Sequence, residues 1–184
     1  MRRLLFIVGS IRKGSFNRQL SSMAADIVKD WAVVDYMDIS TFPLMNQDVE
    51  FPAPSAVSEA RKQLAECDAV WIFTPEYNHS IPGPLKNAMD WLSRPLDPQD
   101  PDRVSAVKGK KAIICGAGGG KKTEFSRKAL DEMLSFIGME VIGGDGCGFA
   151  LDRRAFAENI WEPGDDVKDA LKVQAAMLKE HTEN

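Results

Sequence analysis

Leu4-Leu5-Phe6-Ile7-Val8-Gly9-Ser10-Ile11-Arg12-Lys13-Gly14-Ser15-Phe16-Asn17 is the stretch on which the reading of this chain turns. Five apolar residues in a row, without alternation, describe a strand covered on both faces, as in a parallel sheet. The run stops at Gly9, and a turn of glycine, serine and arginine leads at once into an amphipathic segment. There Leu20, Met23, Ala24, Ile27 and Val28 fall on one helical stripe. A helix starting directly after such a loop offers unpaired N–H groups and a partial positive charge to an anion. Ser10, Ser15 and Asn17 add side-chain donors and Arg12 a charged fork, so a terminal phosphate fits the set. An ordinary helix start fits it too, with Ser15 or Asn17 capping and Arg12 in solvent.

Outward from this stretch the pattern repeats. Trp31–Met37 reads as a second strand, and the loop over residues 41–54 is rich in Pro, Asn and Asp. Ser55 is a candidate cap for a helix running to about Cys67, with Val57, Ala60 and Leu64 inward. Residues 69–74 form a third apolar strand that breaks at Pro75. A helix with Leu85, Ala88, Met89 and Leu92 inward follows the proline-containing loop 75–84. Residues 95–107 read as a surface loop and Lys111–Cys115 as a fourth strand, followed by a glycine loop at 116–120. Thr123 is a candidate cap for a helix whose stripe is Phe125, Ala129, Met133 and Ile137, stopped by Gly138. Residues 139–142 read as a fifth strand and 143–148 as a turn. Residues 150–163 carry no clear period, and 165–179 form a last amphipathic helix with Val167, Ala170, Leu171 and Leu178 inward.

Repeated βα units predict a parallel sheet with helices on both faces and right-handed crossovers. Ligands of such sheets bind outside the carboxyl ends of the strands, where strand order reverses. The three unusual loops follow strands one, three and four, so a switch point there brings them together.

Length and composition bound the function. A chain of 184 residues is expected to form one domain, residues 1–184, with a substantial core. A formal net charge of −4 without a basic face argues against nucleic-acid or anionic-membrane partners. Cys67, Cys115 and Cys147 are scattered, with no CxxC pair, which suggests neither a disulfide framework nor a metal site. No stretch reaches the roughly 20 apolar residues of a membrane span, so the expected location is the cytoplasm.

The first loop has the glycine spacing of a P-loop at Gly9 and Gly14, but Ser15 stands where the phosphate-binding Lys belongs. That argues against a nucleoside triphosphatase. Pro75-Glu76-Tyr77-Asn78, directly after an apolar strand, places backbone N–H groups and an aromatic ring at the mouth of the same site. Such a loop suits a flat heteroaromatic ligand; a rigid turn with a buried tyrosine is the competing reading. His79 is a candidate proton donor set against a surface histidine without a role. Trp71 and Trp91 are expected in the core, and His181 in a frayed tail.

GSIRKGSFN (residues 9–17) and TPEYNHSIPGPLKNAMDWLSRP (residues 74–95) resemble the NAD(P)H-dependent FMN reductase family of flavodoxin-like proteins. The likeness is nearest to its bacterial quinone and chromate reductases and extends over about residues 1–145. It implies a three-layer α/β sandwich with a five-stranded parallel sheet of order 2-1-3-4-5. It further implies that Ser10, Arg12, Ser15, Phe16 and Asn17 hold the FMN phosphate and ribityl end. Pro75, Glu76, Tyr77 and Asn78 would line the isoalloxazine, with Gly116, Ala117 and Gly118 on the third loop. Where relatives carry hydroxyl residues at that third loop, this chain has only backbone to offer.

The implied reaction is hydride transfer from NADH or NADPH to FMN and on to a small acceptor by ping-pong kinetics. A quinone, an azo compound or an oxidised metal species such as chromate would serve as acceptor. The flavin carries the chemistry and no acid–base side chain is obligatory. Relatives of this kind imply a homodimer or homotetramer. Two other classes stay open: a reductase that supplies free reduced flavin, and a non-enzymatic flavodoxin-like electron carrier.

Overall fold

Leu4–Val8 forms the inner part of strand β1 (Arg2–Val8), the second strand of a parallel sheet, and is buried throughout. The computed structural model describes residues 1–183. In chain order, β1 is followed by α1 (Phe16–Val28), β2 (Ala32–Met37), α2 (Ser55–Glu66), β3 (Ala69–Phe73) and α3 (Gly83–Leu92). Next come β4 (Lys111–Gly118), α4 (Glu124–Phe136), β5 (Glu140–Val141), β6 (Cys147–Ala150), α5 (Arg153–Glu158) and α6 (Asp165–Glu183). The sheet order is β2-β1-β3-β4-β5, all parallel, which is the flavodoxin-like arrangement the family resemblance implies.

The strand period of two sorts the core into two layers. Leu4, Phe6 and Val8 pack with Trp71, Phe73 and Ile113 beneath α1 and α6, which contribute Leu20, Ala24, Val28, Leu171 and Leu178. Leu5 and Ile7 pack with Val70, Ile72 and Ile114 beneath α2, α3 and α4, which contribute Leu64, Leu85, Leu92, Leu130 and Leu134. Both faces are therefore dry, which is why the strands read as unbroken apolar runs. Phe6 sits against Trp71 and Phe73, with ring centroids 5.5 and 5.2 Å apart. Trp71 and Trp91 are fully buried, as expected.

The structure departs from the sequence-based expectation in several elements. β4 runs on through Gly118, so Gly116-Ala117-Gly118 is strand rather than loop. The fifth sheet position is split: β5 pairs with Lys111 and Ala112, and β6 pairs with β4 from Cys115 to Gly118. Part of the expected turn 143–148 is thus strand. Gly143, Gly144 and Gly146 adopt positive φ between the two pieces, and a Cβ on Gly146 would lie 1.9 Å from the Ile114 carbonyl oxygen. Only glycine lets the chain leave the sheet and return there.

On α4 the buried line is Ser126, Arg127, Leu130 and Leu134, and Phe125 is exposed. Ser55 is the first residue of α2 rather than its cap, Pro54 holding that position, and Thr123 makes no side-chain capping bond. His181 lies within α6, where its ring bonds the Met177 carbonyl and its own carbonyl accepts from Lys111 Nζ. No helix among the described residues is long and apolar enough to cross a membrane.

Candidate functional site

The carboxyl ends of β1, β3 and β4 are tied together before any loop begins. The Gly9 N–H donates to the Phe73 carbonyl and the Thr74 N–H to the Cys115 carbonyl, both at 2.8 Å. Outside them opens a cavity of about 370 Å³ lined by all three loops and by α5. That volume is within the range of cofactor sites, roughly 300–1,000 Å³.

At one end lies the loop before α1. Ser15 occupies the N-cap position, buried, yet its hydroxyl makes no bond to its own helix. Asn17 does not cap either. Its amide donates to the Ala117 carbonyl and accepts from the Ala117 N–H, both at 2.9 Å, pinning α1 to β4. The ordinary capped-helix alternative is therefore not what the chain adopts. The first helical N–H groups and the Ser15 hydroxyl stay available to an anion. Ser10 is committed only weakly, 3.4 Å from the Tyr77 hydroxyl and 3.4 Å from the Arg12 N–H. Arg12 lies over the Phe16 ring at 5.2 Å and donates to Asn159 Oδ1 at 2.6 Å.

At the other end, β3 is followed by buried Thr74 and Pro75, and the chain doubles back at Tyr77–Ser80. Asn78 and His79, both at positive φ, form the tip, as the central residues of a type I′ turn do. Neither lines the cavity. The His79 ring instead stacks on exposed Phe125, with centroids 4.3 Å apart. Glu76 lines the cavity, but its Oε2 accepts the N–H groups of Phe125 at 2.9 Å and Ser126 at 3.2 Å. The carboxylate thus caps α4 from another loop, the role that sequence spacing assigned to Thr123.

The third wall is Ala117, Gly118 and Gly119. Gly116 stands behind it, where a Cβ would meet Thr123 Oγ1 at 2.3 Å and the Thr74 carbonyl at 2.4 Å. Of the backbone donors expected at the ring end, the Tyr77 N–H goes to the Ser80 carbonyl and the Ala117 N–H to Asn17.

Leu151, Ala155, Phe156 and Asn159 complete the lining, and sequence reading assigned them no role. The segment carries one local signal: Asp152 caps α5 through the Ala155 N–H at 2.8 Å. Its approach to the site is tertiary. Trp161 packs edge-on against Phe16, with centroids 6.1 Å apart, and its carbonyl accepts from Gln19 Nε2 at 2.9 Å.

The donor set fits FMN. Hydroxyls, helix N–H groups and one guanidinium gather where a phosphate would sit, and no free carboxylate opposes it. Pro75, Tyr77, Ala117, Leu151 and Phe156 offer flat or apolar walls to a ring. A doubly wound sheet with such a cavity at its switch point defines a flavodoxin-like protein.

The sequence profile of the NADPH-dependent FMN reductase family matches residues 2–151. An NAD(P)H:quinone oxidoreductase from Solanum tuberosum is 39% identical over 134 residues, 70% of this chain and 66% of that protein, just under two thirds of its length. An NAD(P)H-dependent FMN reductase from Pseudomonas aeruginosa is 42% identical over 137 residues, 73% of this chain and 70% of that protein. Among solved structures, the flavoenzyme NAD(P)H:(acceptor) oxidoreductase FerB from Paracoccus denitrificans superposes with a TM-score of 0.85. It is 25% identical, covering 100% of this chain and 98% of that one. The chain belongs to the NADPH-dependent FMN reductase family. The match ends at Leu151, so α5, which walls the site, lies beyond it.

Proposed function

We propose that the chain, as one unit over residues 1–184, reduces a quinone-type acceptor at the expense of NADH or NADPH with FMN held in the cavity described above. The observation that carries this reading is the uncommitted Ser15 hydroxyl at the N-cap of α1, beside Ser10 and Arg12. Ser10, Arg12, Ser15 and the first-turn N–H groups of Phe16 and Asn17 would hold the phosphate. Pro75, Glu76, Tyr77, Ala117 and Gly118 would flank the ring, with Asn78 shaping the turn that positions Tyr77. A flavin held there would supply two-electron redox chemistry between a reduced nicotinamide and the acceptor. The protein's part is orientation: Asn17 fixes the phosphate loop to β4, and Glu76 fixes the ring loop to α4. Tyr77 and Phe156 are solvent-exposed at the edge of the cavity, so substrates can enter and leave one after the other.

The quinone named for the Solanum tuberosum relative supports the acceptor class. Free thiols at Cys67, Cys115 and Cys147 support a reducing, cytoplasmic setting. A homodimer or homotetramer is supported by exposed Leu44, Val49 and Phe51 on one loop and Leu96 and Val104 on its neighbour. Glu50 and Arg94 join those loops through bonds of 2.8 and 2.9 Å.

The test is anaerobic. Purified protein is mixed with NADH or NADPH, and then with benzoquinone. Bleaching of the bound flavin by at least one nucleotide and recovery of its colour on adding the quinone are expected, with parallel double-reciprocal plots in steady state. Flavin that stays oxidised with both nucleotides would leave an electron carrier. Flavin that leaves the protein peak on gel filtration after reduction would indicate a supplier of free reduced FMN.

A further inference from the structure

On the face of the sheet covered by α1 and α6, Cys115 on β4 and Cys147 on β6 are register partners, and their sulfur atoms lie 3.5 Å apart. Neighbouring strands run about 4.8 Å apart, inside the ~4.4–6.8 Å separation that disulfides span between Cα atoms. Bonding distance is thus reachable by rotating two short side chains, without moving either strand. We propose that Cys115 and Cys147 form a redox-active dithiol, a modification site that hydrogen peroxide oxidises to an intramolecular disulfide.

The two thiols have unequal surroundings, which assigns their roles. Cys115 is completely buried, and that burial drives its pKa well upward, so it stays a thiol. Cys147 is part-exposed. The S–H of Cys115 steadies its ionised form against the opposing effect of burial, and the nearby Arg127 guanidinium adds to this, so its pKa is lowered. Arg127 is held in place by the carbonyls of Lys122, Asp145 and Gly146 and by the Asp145 carboxylate. Access is provided as well. Cys147 lines an open groove of about 350 Å³ between the sheet and α6, bordered by Gly143, Gly146, Ala170, Val173 and Met177. The thiolate is the form that attacks peroxide, so Cys147 is the attacking sulfur and Cys115 the resolving one.

In the first step the Cys147 thiolate attacks one peroxide oxygen, the O–O bond breaks, and hydroxide leaves, giving the sulfenic acid. In the second, Cys115 sulfur attacks Cys147 sulfur, the S–O bond breaks, and water departs with the Cys115 proton. In sum, two thiols and one peroxide give one disulfide and two waters. The link would join β4 to β6, whose continuation through Leu151 to Asn159 walls the cavity.

Cys67 is the internal control. Burial raises its thiol to about 11, and its sulfur is bonded to the Leu64 carbonyl rather than to another thiol. The native full-length protein is treated with hydrogen peroxide, blocked with an alkylating reagent under denaturing conditions, digested and mapped by mass spectrometry. The expected product is one linked peptide pair containing Cys115 and Cys147, two hydrogens lighter than the separate peptides and restored by dithiothreitol. Cys147, the more exposed thiol and the one whose pKa is lowered rather than raised, should be consumed at least about tenfold faster than Cys67. In Cys115→Ala, which removes the resolving sulfur together with the S–H that steadies the Cys147 thiolate, the sulfenic acid on Cys147 should form more slowly but persist and be captured by dimedone. Oxidation of Cys147 without a link to Cys115 in the wild-type protein, or a Cys147 rate no greater than that of Cys67, would overturn the proposal.

Discussion

Arg12 shows how much a single side chain's meaning depends on its neighbours. Its position in the first loop suggested an anion ligand or a solvated cation. In the folded chain it is already held, by the Phe16 ring and by Asn159 from the far end of the sequence. A guanidinium fixed on two sides loses less freedom when it meets a phosphate, which favours binding. Arg12→Ala is expected to weaken FMN binding by about 1.5–3 kcal/mol, the scale of a hydrogen bond to a charged group. Calorimetric titration of the apoprotein with FMN measures it, and an unchanged affinity would remove Arg12 from the phosphate site. Gly116 shows the reverse case. The family resemblance implied a cofactor contact for it, while the structure gives it a packing reason: Thr123 and the Thr74 carbonyl leave no room for a Cβ.

Among the elements, α4 begins in an unusual way. Lys122 and Thr123 both adopt positive φ, Thr123 does not cap, and Glu76 reaches across from the loop after β3 to take two of the free N–H groups. A carboxylate at a helix N-terminus gains from both the hydrogen bonds and the helix dipole. Glu76→Ala is expected to lower the stability of the apoprotein by about 1 kcal/mol. Glu76→Gln, which keeps one acceptor oxygen and loses the charge, should cost about half as much, within the ~0.3–1 kcal/mol of a dipole contribution. Urea denaturation of the two variants beside the wild type provides the comparison; equal stabilities in all three would show that the cap contributes nothing. The same contact ties the ring loop to α4, and its long range is why no local signal near Thr123 revealed the cap.

At the scale of the molecule, a ligand seated between β1, β3, β4 and α5 bridges parts of the chain about 150 residues apart in sequence, from Ser10 to Asn159. FMN at a free concentration 100-fold above its Kd should therefore stabilise the native state by about 2.7 kcal/mol. For a chain of this length that corresponds to a rise in melting temperature of about 5–10 °C, readable by differential scanning fluorimetry against added FMN. A melting temperature independent of FMN would show that the folded chain does not bind it.

The strands and helices other than β6 and α5, the two dry faces of the sheet and the sheet end at which the cavity opens were legible from residue patterns. Those features follow from local periodicity, in runs such as Leu4–Val8 and 69–74, and from loops that interrupt it. The family motif at residues 9–17 and 74–95 was legible for the same reason, being contiguous. Tertiary packing decided the rest. It set Asn17 on Ala117 instead of a ligand, made Glu76 a cap for a helix 48 residues later, and brought Leu151–Asn159 over the cavity. It also placed Cys147 opposite Cys115 by splitting the fifth strand. Each of these joins residues distant along the chain through hydrogen bonds and close packing, and such partners leave no period or spacing in the sequence for a local reading to find.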